Sequence, residues 1–240
     1  MTTNKVDILA IGVHPDDIEL SASGTLFRHL DLGYSIALCD LTQGELGTRG
    51  SAALRLEEAE AARKHFGDVP RVNLGLADGF FTHTRENLMS IVKVIRQFQP
   101  EIVLCNAISD RHPDHGRAAK LVSDACFLAG LRKIIVDGDE DLAAWRPKSV
   151  YHYTQDRHQK VDFAVDITDY MDRKIAVIKA FKSQFFDPDS KEPLTPISGP
   201  SFIDSVKSKD RVYGRDLGVD YAEGFNVDRC PGVNNLFDLF

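Results

Sequence analysis

Two short polar clusters could hold a metal ion and activate a water molecule. Residues 14–17 (HPDD) and residues 110–115 (DRHPDH) each follow a short apolar run. Two imidazoles and one carboxylate with an open fourth position form the ligand set of a catalytic zinc site, and such a set also suits Fe(II). We therefore predict His14, Asp17 and His115 as metal ligands. The alternative for either histidine is a helix cap or a satisfied polar group in the core.

The remaining members of the two clusters predict the chemistry beside the metal. Asp16 would lie next to a metal-activated water, where a carboxylate is a natural general base. Its alternative role is to cap the following helix. His112, held cationic by Asp114, could stabilise an oxyanion, or Asp114 could instead orient a ligand histidine.

Two arginines could bind substrate carboxylates or hydroxyls, and a glycine-rich loop lies near one of them. They are Arg55 and Arg111; Arg55 has the alternative of lying on a solvated helix face. Residues 44–50 (GELGTRG) match neither GxGxxG nor GxxxxGK[ST]. We therefore exclude a nicotinamide or ATP site and interpret this loop as a pocket wall.

The elements that position these residues alternate between strand and helix. Residues 6–13, 34–41, 71–74 and 102–105 are apolar, strand-like runs, and a helical segment follows each of them. This alternation predicts an α/β fold with a Rossmann-like, mostly parallel sheet flanked by helices. Ligand sites of such folds lie at the carboxyl ends of the strands, where both polar clusters fall. The sequence shows no convincing boundary, so we predict one domain over residues 1–240.

Composition excludes several classes of protein. The chain of 240 residues has a net charge of -7, which argues against a nucleic-acid or anionic-membrane binder. No apolar segment approaches the roughly 20 residues that span a bilayer, and the N-terminus does not resemble a signal peptide. None of the four cysteines has CxxC spacing. We predict a cytoplasmic enzyme with a small-molecule substrate.

The paired motifs resemble those of the PIG-L/LmbE-like zinc deacetylases. These are HPDD at residues 14–17 and RHPDHG at residues 111–116. Further segments resemble the bacillithiol biosynthesis deacetylases, which act on N-acetylglucosaminyl malate. They are DLT at 40–42, LR at 54–55, EEA at 57–59, KSQ at 182–184, PLT at 193–195 and YAEGF at 221–225.

The resemblance implies a zinc-dependent removal of an acetyl group from a glucosamine conjugate. By position it assigns the same metal ligands, Asp16 as base, and the pair of His112 and Asp114 as oxyanion stabiliser. It adds Arg146 to Arg55 and Arg111 as a polar pocket position, and it implies a homo-oligomer, a trimer or hexamer. One departure is Phe202, where close relatives have a tyrosine whose hydroxyl assists the oxyanion.

Other functions stay open at this point. The same site could act on another N-acetylglucosamine derivative or on a conjugate of a low-molecular-weight thiol. A phosphomonoesterase usually needs more cationic groups or a second metal. A non-catalytic sugar-binding protein would not need a metal with a carboxylate base beside it.

Overall fold

A seven-stranded sheet forms the centre of the protein in the computed structural model, which describes residues 5–136, 138 and 141–238. Its strands lie in the order β3-β2-β1-β4-β5-β7-β6. In chain order they are β1 (Ile8–Gly12), β2 (Ile36–Thr42), β3 (Arg71–Leu76), β4 (Ile102–Cys105), β5 (Ser149–Tyr153), β6 (Phe163–Asp166) and β7 (Ala222–Val227). Strands β1 to β5 pair with one another in parallel. The predicted fold class is confirmed.

The strand order reverses between β1 and β4. From β1 the chain builds outward through β2 and β3, then returns to place β4 and β5 on the other side. The crevice at such a reversal is where open α/β sheets bind ligands, because the crossovers on the two sides lie on opposite faces. The two polar clusters follow β1 and β4 and therefore meet at this crevice.

Strand β7 was not predicted from the sequence. It inserts antiparallel between β5 and β6 and pairs His152 with Asn226 and Val165 with Glu223. The segment comes at the end of the chain and has no local turn that marks a hairpin with either neighbour. Its partners lie 56 to 76 residues earlier, so pairing across the sheet decides its structure.

Six α-helices in the described part of the chain cover the two faces of the sheet. They are α1 (Asp17–Asp31), α2 (Ala52–His65), α3 (Arg85–Phe98), α4 (Pro113–Ala129), α5 (Met171–Ile178) and α6 (Phe202–Leu217). Side chains alternate along β1, so that Leu9 and Ile11 pack with α3 and α4, and Ile8 and Ala10 pack with the other helices. All five residues of β1 are buried, as expected of a central parallel strand. No helix in the described ranges is long and apolar enough to cross a membrane.

A buried ion network fixes α1 against the edge of the sheet. Arg71 of β3 donates to Asp40 of β2 at 2.7 and 2.8 Å and to Glu19 of α1 at 2.6 Å. All three side chains are nearly inaccessible to solvent. Because a buried charge without a partner is costly, this network specifies how the first turn of α1 lies on the sheet.

Candidate active site

A cavity of about 370 Å³ opens at the carboxyl ends of the parallel strands. Loops after all five strands contribute to it, together with α6 and residues 195–197 of the preceding loop. The glycine-rich loop forms part of its wall, as predicted, through residues 46–48. The predicted residues that line it are His14, Asp16, Asp17, Arg55, Arg111, His112 and His115.

Two of the predicted ligands, His14 and His115, both lie near the third, Asp17. His14 Nδ1 lies 3.6 Å from Asp17 Oδ2, and His115 Nε2 lies 3.3 Å from Asp17 Oδ1. Ring nitrogens of His14, His112 and His115 also lie within 4.8 Å of one another. His115 reaches Asp17 from the first turn of α4, which begins at Pro113. Proline at the first helical position explains that start.

Carboxylates behind the two histidines make this group suitable for a metal. His14 Nε2 bonds Asp78 Oδ1 at 2.9 Å, and His115 Nδ1 bonds Asp110 Oδ2 at 2.6 Å. Each contact fixes the ring and leaves the other nitrogen, Nδ1 of His14 and Nε2 of His115, facing Asp17. A carboxylate–histidine pair of this kind typically supports a metal ligand. The donor set therefore fits a divalent metal.

Further polar groups hold the Asp17 carboxylate in place. Oδ2 accepts hydrogen bonds from the backbone N–H groups of Val13 and His14 and from Asn106 Nδ2. Oδ1 accepts from Gln155 Nε2 at 3.0 Å. Asn106, Gln155 and Asp78 were not predicted from the sequence. All three follow the end of a strand, so their position relative to β3, β4 and β5 was the available signal.

Charge interactions within this cluster favour cationic imidazoles. Burial lowers the pKa of His14, but hydrogen bonds and charge from Asp17 and Asp78 outweigh it and raise the pKa to about 10. For His115, burial is likewise outweighed by Asp17 and Asp110, and the pKa rises to about 9. Burial opposes ionisation of Asp17, yet these two histidines hold its pKa well below the usual range. The carboxylates around the two imidazoles thus stabilise their cationic forms.

Asp16 lies beside this cluster without contacting its ring nitrogens. It is 4% exposed and its side chain does not cap α1, so the structure rejects the capping alternative. Its backbone has φ 125°, a conformation that non-glycine residues seldom adopt and that is common at active sites. Burial raises the pKa of Asp16 to about 7, against the lowering effect of Arg55. A carboxylate with that pKa can both accept and release a proton near neutral pH.

Arg55 is buried and positions Asp16. Its Nη2 donates at 2.8 Å to both Asp16 Oδ2 and the carbonyl oxygen of Pro15. The alternative of a solvated helix face is wrong, since Arg55 is 5% exposed. The guanidinium packs on Gly44 and Gly47, where a Cβ would come 2.6 and 3.2 Å from Nη1. The glycines of this loop make room for the arginine.

The predicted side-chain pair of His112 and Asp114 does not form. His112 Nδ1 accepts a hydrogen bond from the backbone N–H of Asp114 at 3.3 Å, so the neutral ring carries its proton on Nε2. The Asp114 carboxylate accepts instead from the Gly79 N–H and from Arg117. Burial and the nearby charges of His14 and His115 lower the pKa of His112. His112 therefore enters the cavity as a neutral N–H donor that also caps α4.

The two other predicted arginines have different positions. Arg111 lies at the half-exposed rim of the cavity and donates to Asp156 at 2.9 Å. Arg146 does not line the cavity, and its assignment is wrong. It donates to the Phe127 carbonyl and stacks on that ring at the far end of α4. His115 and Phe127 are separated by about 18 Å along the helix axis at 1.5 Å per residue.

The fold and the site combine an α/β sheet with a histidine–carboxylate cluster that fits a metal ion and an adjacent buried carboxylate, Asp16. Comparisons with known proteins agree with this description of the fold and the site. Residues 9–126 match the family model PIG-L, described as GlcNAc-PI de-N-acetylase. The chain is 30% identical to a diacetylchitobiose deacetylase of Thermococcus kodakarensis, over 94% of this chain and 84% of that protein.

Two further relatives extend the comparison. The conserved protein TT1542 from Thermus thermophilus superposes with a TM-score of 0.84 at 33% identity, covering 95% of this chain and 98% of that one. A 4-oxalmesaconate hydratase of Pseudomonas putida is 26% identical over 77% of this chain and 76% of that protein. The chain belongs to the PIG-L family and is a metal-dependent N-deacetylase, which confirms the predicted family and class of enzyme.

Proposed function

We propose that this enzyme hydrolyses the acetamide of an N-acetylglucosamine conjugate, with N-acetylglucosaminyl malate as its preferred substrate. The observation that carries the proposal is the placement of Asp16. This buried carboxylate, with a pKa near 7, stands beside a converged group of His14, Asp17 and His115. The diacetylchitobiose deacetylase relative supports an amino-sugar substrate. The YAEGF segment at 221–225 supports the malate conjugate by its resemblance to bacillithiol deacetylases.

We propose zinc as the metal, held by His14 Nδ1, an oxygen of Asp17 and His115 Nε2. When bound, zinc supplies a Lewis acid for the amide carbonyl and lowers the pKa of water. A set of two nitrogens and one oxygen leaves a coordination position open, as catalytic zinc requires. Asp78 and Asp110 would keep the two rings oriented.

The residues of the chain have separate roles in this reaction. Asp16 accepts a proton from the attacking water and later gives it to the departing amine. Arg55 holds the Asp16 carboxylate and the preceding backbone in place. His112, neutral and protonated on Nε2, donates a hydrogen bond to the carbonyl oxygen as negative charge develops there. Phe202 lines the cavity and offers no hydroxyl, so the oxyanion has no help from a tyrosine at this position.

Acetate release is the experiment that tests this function. Metal-replete enzyme is incubated with N-acetylglucosaminyl malate and, separately, with N-acetylglucosamine, and acetate and free amine are measured. We expect the malate conjugate to react faster, because it carries more groups for the cavity to bind. Similar or reversed rates would agree with a deacetylase but would reject the preference for the malate conjugate. Acetate release from neither substrate would reject the proposed deacetylase function.

Two variants test the metal-ligand assignment and the general-base assignment separately. Asp16→Asn should keep its zinc and lose about 10²- to 10⁴-fold in kcat, the usual contribution of a general acid–base group. His115→Ala should lose the zinc itself, measured by elemental analysis. An Asp16→Asn enzyme with near-normal turnover would remove the base assignment. Cytoplasmic location, a single domain and a homo-oligomeric state stay predictions.

A further inference from the structure

One face of α6 forms a wall of the cavity. Phe202, Ser205, Val206 and Lys209 all line it, at the i, i+3, i+4 and i+7 spacing of a single helical face. The wall is apolar at its first turn and ends in a cation two turns later. A substrate that lies along α6 would therefore place its two ends in different chemical surroundings.

Lys209 is a largely buried ammonium group with few partners. Its side chain is 14% exposed, and Nζ donates one hydrogen bond, at 3.1 Å, to the Thr154 carbonyl. In the described ranges its nearest carboxylate is Asp210, at 4.0 Å, and Lys174 already holds that carboxylate at 2.7 Å. An ammonium has three N–H donors. Lys209 thus has donors left for a ligand in the cavity.

The other cations that line the cavity have a protein carboxylate within hydrogen-bond distance. Arg55 bonds Asp16 and Arg111 bonds Asp156, each below 3 Å. Lys209 differs because it has no carboxylate at that distance among the residues that the structure describes. Burial away from water without a close counter-charge is unfavourable for an ammonium, and an anionic ligand would relieve this cost. Burial also lowers the pKa of Lys209, in agreement with its incomplete pairing.

The position of Lys209 relates it to the proposed reaction centre. Its acceptor, Thr154, is followed by Gln155, whose Nε2 bonds Asp17 and lies 3.3 Å from His115 Nε2. Lys209 is therefore connected to the proposed reaction centre through two consecutive residues, Thr154 and Gln155. A ligand whose acetamide reaches His115 can present another part of the same molecule to α6.

We propose that Lys209 binds a carboxylate on the aglycone of the substrate and so selects anionic conjugates of N-acetylglucosamine over neutral ones. This inference rests on the proposed deacetylase function. Lys209 would recognise the anionic part of the substrate, a role that was predicted from the sequence for Arg55 and Arg111.

The test compares an anionic and a neutral substrate in matched variants. The substrates are N-acetylglucosaminyl malate and N,N'-diacetylchitobiose. The variants are Lys209→Met, Lys209→Arg and the control Lys207→Met, which makes the same change on α6 outside the cavity-lining set. For Lys209→Met we expect kcat/KM on the malate conjugate to fall about tenfold to a hundredfold, mainly through KM. The neutral substrate should change less than about threefold, and Lys209→Arg should recover most of the loss.

The alternative is that Lys209 only balances the buried Lys174, Asp210 and Glu223 cluster. In that case Lys209→Met would lower thermal stability and affect both substrates equally, and the proposal would be overturned. If the wild-type enzyme releases acetate from neither substrate, the proposed function fails by itself. Binding of glucosaminyl malate is then measured by calorimetry. Weaker binding in Lys209→Met alone would support the carboxylate-binding role of Lys209. Equal binding in all variants would overturn that role.

Discussion

Replacing Gly44 with alanine tests whether Arg55 controls Asp16. Gly44 has φ +65°, and an added Cβ would lie 2.6 Å from Arg55 Nη1 and 2.8 Å from Cζ. Gly75 provides a matched control. It has nearly the same φ, +62°, but its added Cβ would meet nothing nearer than Gln43 Nε2 at 4.0 Å.

The structure sets the size of the expected effect. Both alanine variants should be destabilised by about 1–2 kcal/mol, because both place a side chain in the left-handed region. Only Gly44→Ala must also move the guanidinium, by about 0.8 Å to reach an ordinary 3.4 Å contact. A shift of that size is enough to break the 2.8 Å bond to Asp16. A hydrogen bond to a charged group contributes about 1.5–3 kcal/mol, which corresponds to about a 10- to 150-fold loss of kcat.

The assay is steady-state acetate release by both variants, with metal content and thermal stability measured in parallel. We expect similar metal contents, a larger loss of stability in Gly44→Ala because it also breaks the bond between Arg55 and Asp16, and a loss of kcat confined to Gly44→Ala. Because Asp16 acts in the chemical step, KM should change less than kcat. Equal kcat values for Gly44→Ala and Gly75→Ala would show that the contact between Arg55 and Asp16 does not support turnover.

Three further outcomes are expected. Asp110→Ala should weaken metal binding about 10- to 100-fold, because His115 loses the carboxylate that orients it, and unchanged affinity in a metal titration would contradict this. Metal affinity should rise steeply with pH, since the pKa values of the two ligand imidazoles lie near 10 and 9 and binding displaces their protons. Below pH 9 the logarithm of the association constant should gain up to about two units per pH unit, and a flat profile would refute it. Arg71→Met should lower the free energy of unfolding by about 3–5 kcal/mol in denaturant titrations, as Asp40 and Glu19 are left buried without their cation. A loss below about 1 kcal/mol would show that the network contributes little.

The grouping of His14, Asp17 and His115 at one edge of the sheet was largely predictable from the sequence. HPDD and DRHPDH predicted both the ligand types and their meeting point, because each motif directly follows a strand whose apolar run is local and unambiguous. Parallel strands bring their carboxyl ends to one edge, so two motifs almost a hundred residues apart could be placed together from the sequence. The sequence also predicted different roles for the two aspartates, Asp17 as a metal ligand and Asp16 as a base, because a catalytic metal site needs both kinds of group.

The errors concern contacts that depend on the whole fold. Asp78 supports His14 from 64 residues away, and its loop has no motif that marks it. Arg146 was placed at the site by resemblance, but α4 carries its partner Phe127 to the opposite end of the domain. The pairing of His112 with Asp114 failed because the first turn of α4 presents a backbone N–H to the imidazole, while Gly79 and Arg117 take the carboxylate.

The sequence by itself determined the alternation of strands and helices, the sheet that follows from it, and the residue types of the reaction centre. These depend on periodicity and on neighbours within a few residues, where side-chain chemistry acts directly. Only the tertiary structure decided which carboxylate faces which histidine, that Arg55 holds Asp16, and that Lys209 reaches the cavity with its nearest described carboxylate 4.0 Å away. Those outcomes depend on burial and on distances between elements far apart in the chain, and small shifts in packing change them.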